Sequence, residues 1–125
     1  MNKNLLVTTP IFYVNASPHI GHLYTILLAD AIAKDKSMAG FNVKLMTGTD
    51  EHGIKIQKKA KSMGISPKEL CDINSQKFRD LCHISEVQPD TFIRTTDEMH
   101  KKTVTDLWNK LISAKTNLNS KYYMI

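Results

Sequence analysis

The order of three segments restricts this chain more than any other feature. Residues 5–11, LLVTTPI, make a short, partly β-branched apolar run closed by Pro10, which reads as a buried strand leading into a loop over FYVNASP. From Ile20 the apolar residues Leu23, Ile26, Leu27, Leu28, Ala31 and Ile32 recur nearly all round a helix. Such a helix should be packed on more than one side until Gly40 stops it. Phe41, Val43 and Leu45 then alternate with polar positions, and Gly48 breaks the pattern, marking a second strand that ends in a loop. A strand, a long helix and a strand in that order imply a right-handed parallel βαβ unit.

The remainder extends the same α/β plan. KIQKKAKSMG reads as a helix whose outer face carries Lys55, Lys58, Lys59 and Lys61, a run whose commoner fate is a solvated surface rather than a nucleic-acid contact. Ser66 and Glu69 bracket Pro67 as a capping box for the next helix. Phe92 and Ile93 suggest a brief third strand, and Thr95 with Glu98 can box a helix carrying Val104, Leu107, Trp108 and Leu111 as core or domain packing. Tyr122 to Ile125 read as the start of a strand that stops, so the chain is expected to be truncated.

Composition excludes several classes. With 42% hydrophobic residues in 125, the chain can bury one core and is not disordered. Its balance of 17 − 12 = +5 suits a polyanionic ligand such as ATP or RNA without demonstrating one. Cys71 and Cys82 match no CxxC metal clip and read as reduced, buried thiols. No continuous apolar leader or membrane-length stretch is present, so a cytoplasmic chain is expected.

SPHIGHLYT, residues 17–25, places His19 and His22 three apart just after Pro18, which fits the first turn of the helix. In parallel α/β sheets ligands sit beyond the carboxyl ends of the strands, where the segments 12–22 and 47–53 would meet. His19, His22 and Asp50 are thereby expected on one rim. No GxGxxG or GxxxxGK[ST] occurs, so a phosphate needs another cradle. The helix N-terminus offers unpaired N–H groups, the two imidazoles can donate to phosphate oxygens, and Gly21 lets a flat base approach the backbone. A metal pair or two surface histidines are the blander readings. Asp50 can equally be a turn former after Gly48, and His52 reads as a residue that structures the loop.

Together with these features, PIFYVNASPHIGH, TGTDEHGIKIQKKA and FIRTTD resemble the N-terminal half-Rossmann of the class I aminoacyl-tRNA synthetases, specifically the methionyl-tRNA synthetases, over nearly the whole chain. The resemblance implies a parallel Rossmann-like sheet with flanking helices. Residues 1–125 would be the N-terminal part of the catalytic domain, ending near the start of the connective insertion. It further implies that His19 and His22 contact ATP phosphates, that Gly21 lies against the adenine, and that Asp50 holds the methionine amino group. Ile11, through its backbone, and Tyr13 would line the amino-acid pocket. ATP with Mg2+, methionine and tRNA are the implied ligands, with no membrane and no DNA partner. The sequence contains no KMSKS-like lysine loop and no zinc-binding cysteine pairs, so zinc would belong only to a missing part of the chain. Another class I synthetase for an aliphatic amino acid and a non-catalytic nucleotide- or RNA-binding remnant are the alternatives.

Overall fold

The first apolar run forms β1 (Asn4–Thr8) and stops before Pro10, which has no N–H to give a ladder. The computed structural model describes residues 3–113; the expected strand at Tyr122–Ile125 lies outside them. The segment expected as loop contains a second short strand, β2 (Phe12–Tyr13). α1 (Ile20–Met38), β3 (Asn42–Asp50), α2 (Ile54–Met63), α3 (Pro67–Ile84), β4 (Thr91–Arg94) and α4 (Glu98–Ser113) follow.

All strand pairs are parallel. β1 pairs with β3 from Asn4 opposite Asn42 to Thr8 opposite Met46, and β2 continues along β3 with Phe12 opposite Thr49 and Tyr13 opposite Asp50. Thr49 also faces Arg94 of β4, so β4 occupies the other edge of β3. The expected βαβ unit is therefore present as β1, α1 and β3.

Gly48 does not end the second strand, contrary to the sequence reading. β3 runs through it to Asp50, because the glycine serves close approach rather than a turn: a Cβ there would lie 2.1 Å from the Ile93 carbonyl oxygen of β4.

The core joins Phe12 and Val14, Leu45 of β3, Ile26, Ala29 and Ala33 of α1, Ile56 and Ala60 of α2, and Leu70, Cys71, Phe78 and Cys82 of α3. Two expectations about helices need correction. α1 buries a single stripe, Ile26, Ala29 and Ala33, while Leu27, Leu28 and Ile32 stay 43%, 48% and 44% exposed; nothing among the described residues covers that side. α4 buries none of its residues, Trp108 included. Its start also differs: the Thr95 hydroxyl accepts the Glu51 N–H at 2.9 Å instead of capping, and the Asp97 carbonyl accepts the Lys101 N–H at the head of the helix.

Three local readings agree with the structure. Ser66 Oγ accepts the Glu69 N–H at 3.1 Å, one arm of the expected box. The four lysines of α2 are exposed, and both cysteines are free and buried.

Candidate functional site

An extra residue in the first row of the sheet builds the site. Between Thr8 opposite Met46 and Phe12 opposite Thr49, residues 9–11 face only residues 47 and 48. Such a bulge reverses the inward and outward alternation. Before it, Leu5, Val7 and Thr9 point inward; after it, Phe12 and Val14 do. Ile11 and Tyr13 are consequently turned out, 48% and 67% exposed. The bulge is pinned by Thr9, whose hydroxyl lies 2.6 Å from that of Thr47. Asn74 of α3 donates to the Val14 carbonyl at 2.7 Å and holds the segment that follows.

Tyr13 and Asp50 are thus strand partners at the carboxyl edge of the sheet. Asp50 is half-buried, and its Oδ1 accepts the His52 N–H at 3.3 Å, so the residue does form a turn while keeping most of its hydrogen-bonding capacity. Next to it in the ladder, Phe12 touches the His22 ring edge-on at 5.1 Å and stacks on Phe78 at 5.2 Å. Through Phe12, Asp50 and the histidine pair share one rim.

His19, not Pro18, opens α1. It is the N-cap, and its Nδ1 accepts the Gly21 N–H at 3.1 Å. His22 reciprocates, its Nδ1 accepting the His19 N–H at 3.0 Å. The ring centroids are 3.8 Å apart. Gly21 lets the His19 ring sit close, since a Cβ there would lie 3.0 Å from it. His22 also packs edge-on against Phe78 at 5.0 Å. Burial and, secondarily, the neighbouring His19 hold its pKa below the ordinary histidine value.

Beneath the rim lies a charged network that the sequence reading left unassigned. Glu51, next to Asp50, is buried with its side chain wholly out of solvent. Arg94 donates to it through Nε at 2.7 Å and Nη2 at 2.9 Å, and also to Asp72 of α3 at 2.6 Å. Thr49 Oγ1 donates to Glu51 at 2.9 Å, and the Thr96 hydroxyl donates to its other oxygen. Burial alone would raise the Glu51 pKa, but these hydrogen bonds and the Arg94 charge bring it below the ordinary carboxylate value. The Thr95 N–H donates to the Thr49 carbonyl at 3.1 Å. The available signal was chemical: an acid and an arginine at the ends of short apolar strands must find each other if both are buried.

Not every expected residue converges. Tyr13 lines a cavity of about 450 Å³ with Asn15, His52, Gly53 and the first turn of α2. Ile11 lines a different one, of about 380 Å³, with Met46, Ile93 and Met99. Among the described residues no group of three or more His, Cys, Asp or Glu could hold a metal ion, and no helix is long and apolar enough to cross a membrane.

Residues 5–124 match the family described as tRNA synthetases class I (M). The chain is 46% identical over 112 residues to the mitochondrial methionine–tRNA ligase of Takifugu rubripes, covering 90% of this chain and 19% of that protein. It is 46% identical over 116 residues to the methionine–tRNA ligase of Rickettsia conorii, covering 93% and 23%. The fold matches the Mycobacterium tuberculosis methionyl-tRNA synthetase in complex with methionyl-adenylate with a TM-score of 0.85 at 39% identity, over 90% of this chain and 22% of that one. The chain therefore spans about a fifth of the length of the relatives it matches. Mitochondrial and bacterial enzymes both appear among them, so the matches fix no compartment.

Proposed function

This chain belongs to the class I tRNA synthetases of the (M) family, and from that membership we propose that it supplies the ATP-facing and amino-group-facing part of a methionine–tRNA ligase. The observation that carries the reading is the shared rim: Asp50 pairs with Tyr13 at the sheet edge, one packed ring away from the His19–His22 cap.

In this reading a methionine carboxylate oxygen attacks the α-phosphorus of ATP, the bond to the β-phosphate breaks, and pyrophosphate leaves. A tRNA ribose hydroxyl then attacks the carbonyl carbon of the adenylate and AMP departs. Asp50 holds the ammonium through a charge-assisted hydrogen bond. Tyr13 and the Ile11 backbone border the amino acid, and Gly21 leaves room for the adenine. The imidazoles of His19 and His22 offer donors to phosphate oxygens where negative charge builds in the transition state, and the positive end of the α1 dipole favours that charge. Mg2+ enters as the companion of the ATP phosphates, which together with few protein ligands commonly hold it.

The test has two parts. Titrating the 125-residue chain with a non-hydrolysable methionyl-adenylate analogue should shift the amide resonances of Tyr13, Gly21, His22 and Asp50, and a leucyl analogue should shift them less. In the full-length protein, ATP–pyrophosphate exchange should depend on methionine above isoleucine, leucine or valine. Preference for another aliphatic amino acid, or an analogue that leaves all four resonances unmoved, would overturn the assignment.

A further inference from the structure

The reciprocal cap at the head of α1 uses up one nitrogen of each histidine. An imidazole nitrogen that accepts an N–H must be unprotonated, and a neutral ring with a bare Nδ1 carries its proton on Nε2. Both Nδ1 atoms accept backbone N–H groups, from Gly21 and from His19. We propose that the cap locks His19 and His22 as neutral Nε2–H tautomers, making each ring a one-directional donor, and that protonating either ring releases the start of α1.

The surroundings favour the neutral pair. The centroids are 3.8 Å apart, a separation at which two imidazolium rings would repel. Phe12 and Phe78 meet His22 edge-on and provide no counter-charge. The first turn of α1 has no acidic residue, and α3 sends a cation to this corner, Lys77, whose ammonium bonds Ser17 Oγ at 3.0 Å. The positive end of the helix dipole works in the same direction. Asp50 of β3 is the carboxylate on this rim; it accepts the His52 N–H and makes no ion pair with either ring. Among the described residues that are not exposed, no side-chain nitrogen is both buried and without a partner, and the half-buried His22 forms no protein hydrogen bond through Nε2. That atom therefore reaches solvent, where a ligand can meet it. The tautomer assignment stands on this geometry alone; its use toward phosphate rests on the proposed function.

The lock has a chemical consequence. Neutral rings donate without adding charge, so the pair discriminates by direction: Nε2–H groups favour an acceptor such as a phosphate oxygen and offer nothing to a donor. Proton uptake would turn Nδ1 into a donor facing a donor and free two amide groups.

Nuclear magnetic resonance on the isotopically labelled 125-residue chain tests this directly. At about pH 7.5, well above the ordinary histidine pKa, both rings should show a bare Nδ1 and a protonated Nε2. Scalar couplings across the hydrogen bonds should link the Gly21 amide nitrogen to His19 Nδ1 and the His19 amide nitrogen to His22 Nδ1. On stepwise acidification each coupling should vanish together with the appearance of a proton on the Nδ1 that accepts it. In His19→Asn, asparagine should still cap Gly21, whose amide should lose the direct ring-protonation step, while the His19-position amide continues to follow His22. An Nδ1–H tautomer, a charged ring at the higher pH, or missing couplings in the unmodified chain, whether from another geometry or from failure to fold, would overturn the proposal. Binding of an adenylate analogue is scored separately, so failure of the lock and failure of the proposed function are distinguishable.

Discussion

Asp50 forms a turn and still keeps capacity to bind an incoming group. Its one observed side-chain bond, to the His52 N–H, is long at 3.3 Å, whereas adjacent Glu51 is saturated by Arg94, Thr49 and Thr96. Of the two neighbouring carboxylates, only Asp50 is left with capacity for an incoming ammonium. A charge-assisted hydrogen bond of this kind contributes about 1.5 to 3 kcal/mol. In the full-length protein, Asp50→Asn should therefore raise the methionine requirement about tenfold or more and leave ATP binding nearly unchanged. Asparagine keeps the shape and the turn propensity, so folding should survive. Separate calorimetric titrations with methionine and with ATP measure this, and unchanged methionine affinity in the folded variant would leave Asp50 as a turn former only. Tyr13 shows a different lesson at this scale. Its outward aim depends on the extra residue beside Pro10 rather than on its own chemistry, since the bulge reverses the alternation set by Leu5 and Val7.

Among elements, β3 is the axis on which the others are registered. It holds β1 and β2 along one edge and β4 along the other, and the space for β4 exists because position 48 lacks a side chain. Gly48→Ala should force β3 and β4 apart and cost about 1 to 3 kcal/mol as overpacking, read as a lower urea midpoint; an unchanged midpoint would show that the strands yield freely. The second tie is the Arg94 fork between β4, Glu51 and Asp72. Arg94→Met leaves the buried Glu51 carboxylate without its main partner and should cost about 3 kcal/mol or more, with part of the loss recovered in the double variant with Glu51→Gln. The fork also sets acid sensitivity. Glu51 titrates below its ordinary 4.5 in the folded chain, so its contribution is complete above that value and is lost as the pH falls through the lower folded pKa. Urea midpoints taken on descending from pH 4.5 should drop more steeply for the unmodified chain than for Glu51→Gln; parallel curves would contradict that origin. Apart from β2, the order of strands and helices was legible because periodicity and capping are local signals. The passage of β3 through Gly48 was not, because the reason sits on Ile93, and the Glu51–Arg94 pair joins residues from different strands that no local pattern links. The spacing of the histidine pair after Pro18 was legible as a placement at the head of α1, but its role as the cap itself depended on ring geometry.

At the scale of the whole molecule, the rim is assembled on one side only. α1 buries Ile26, Ala29 and Ala33 against the core yet leaves Ile20, Tyr24, Leu27, Leu28 and Ile32 exposed, and β1 is paired on a single edge among the described residues. An apolar helix face and an open parallel strand are surfaces that α/β folds ordinarily cover. The relatives matched are about five times longer, which supplies ample chain for such a cover in those proteins. Adenylate formation demands that charge building on the pyrophosphate be met by fixed donors from all around it, and loss of even one such donor costs about 3 kcal/mol of transition-state stabilisation. Toward the phosphates the 125 residues supply the α1 dipole and the two histidines, but they contain no KMSKS-like lysine loop. The purified 125-residue chain should accordingly show no methionine-dependent ATP–pyrophosphate exchange, even where it binds an adenylate analogue. Binding draws on ground-state contacts that this rim can make, whereas turnover draws on contacts strengthened only in the transition state. Exchange above the level of a His22→Ala control would show that these residues alone encircle the reacting phosphates.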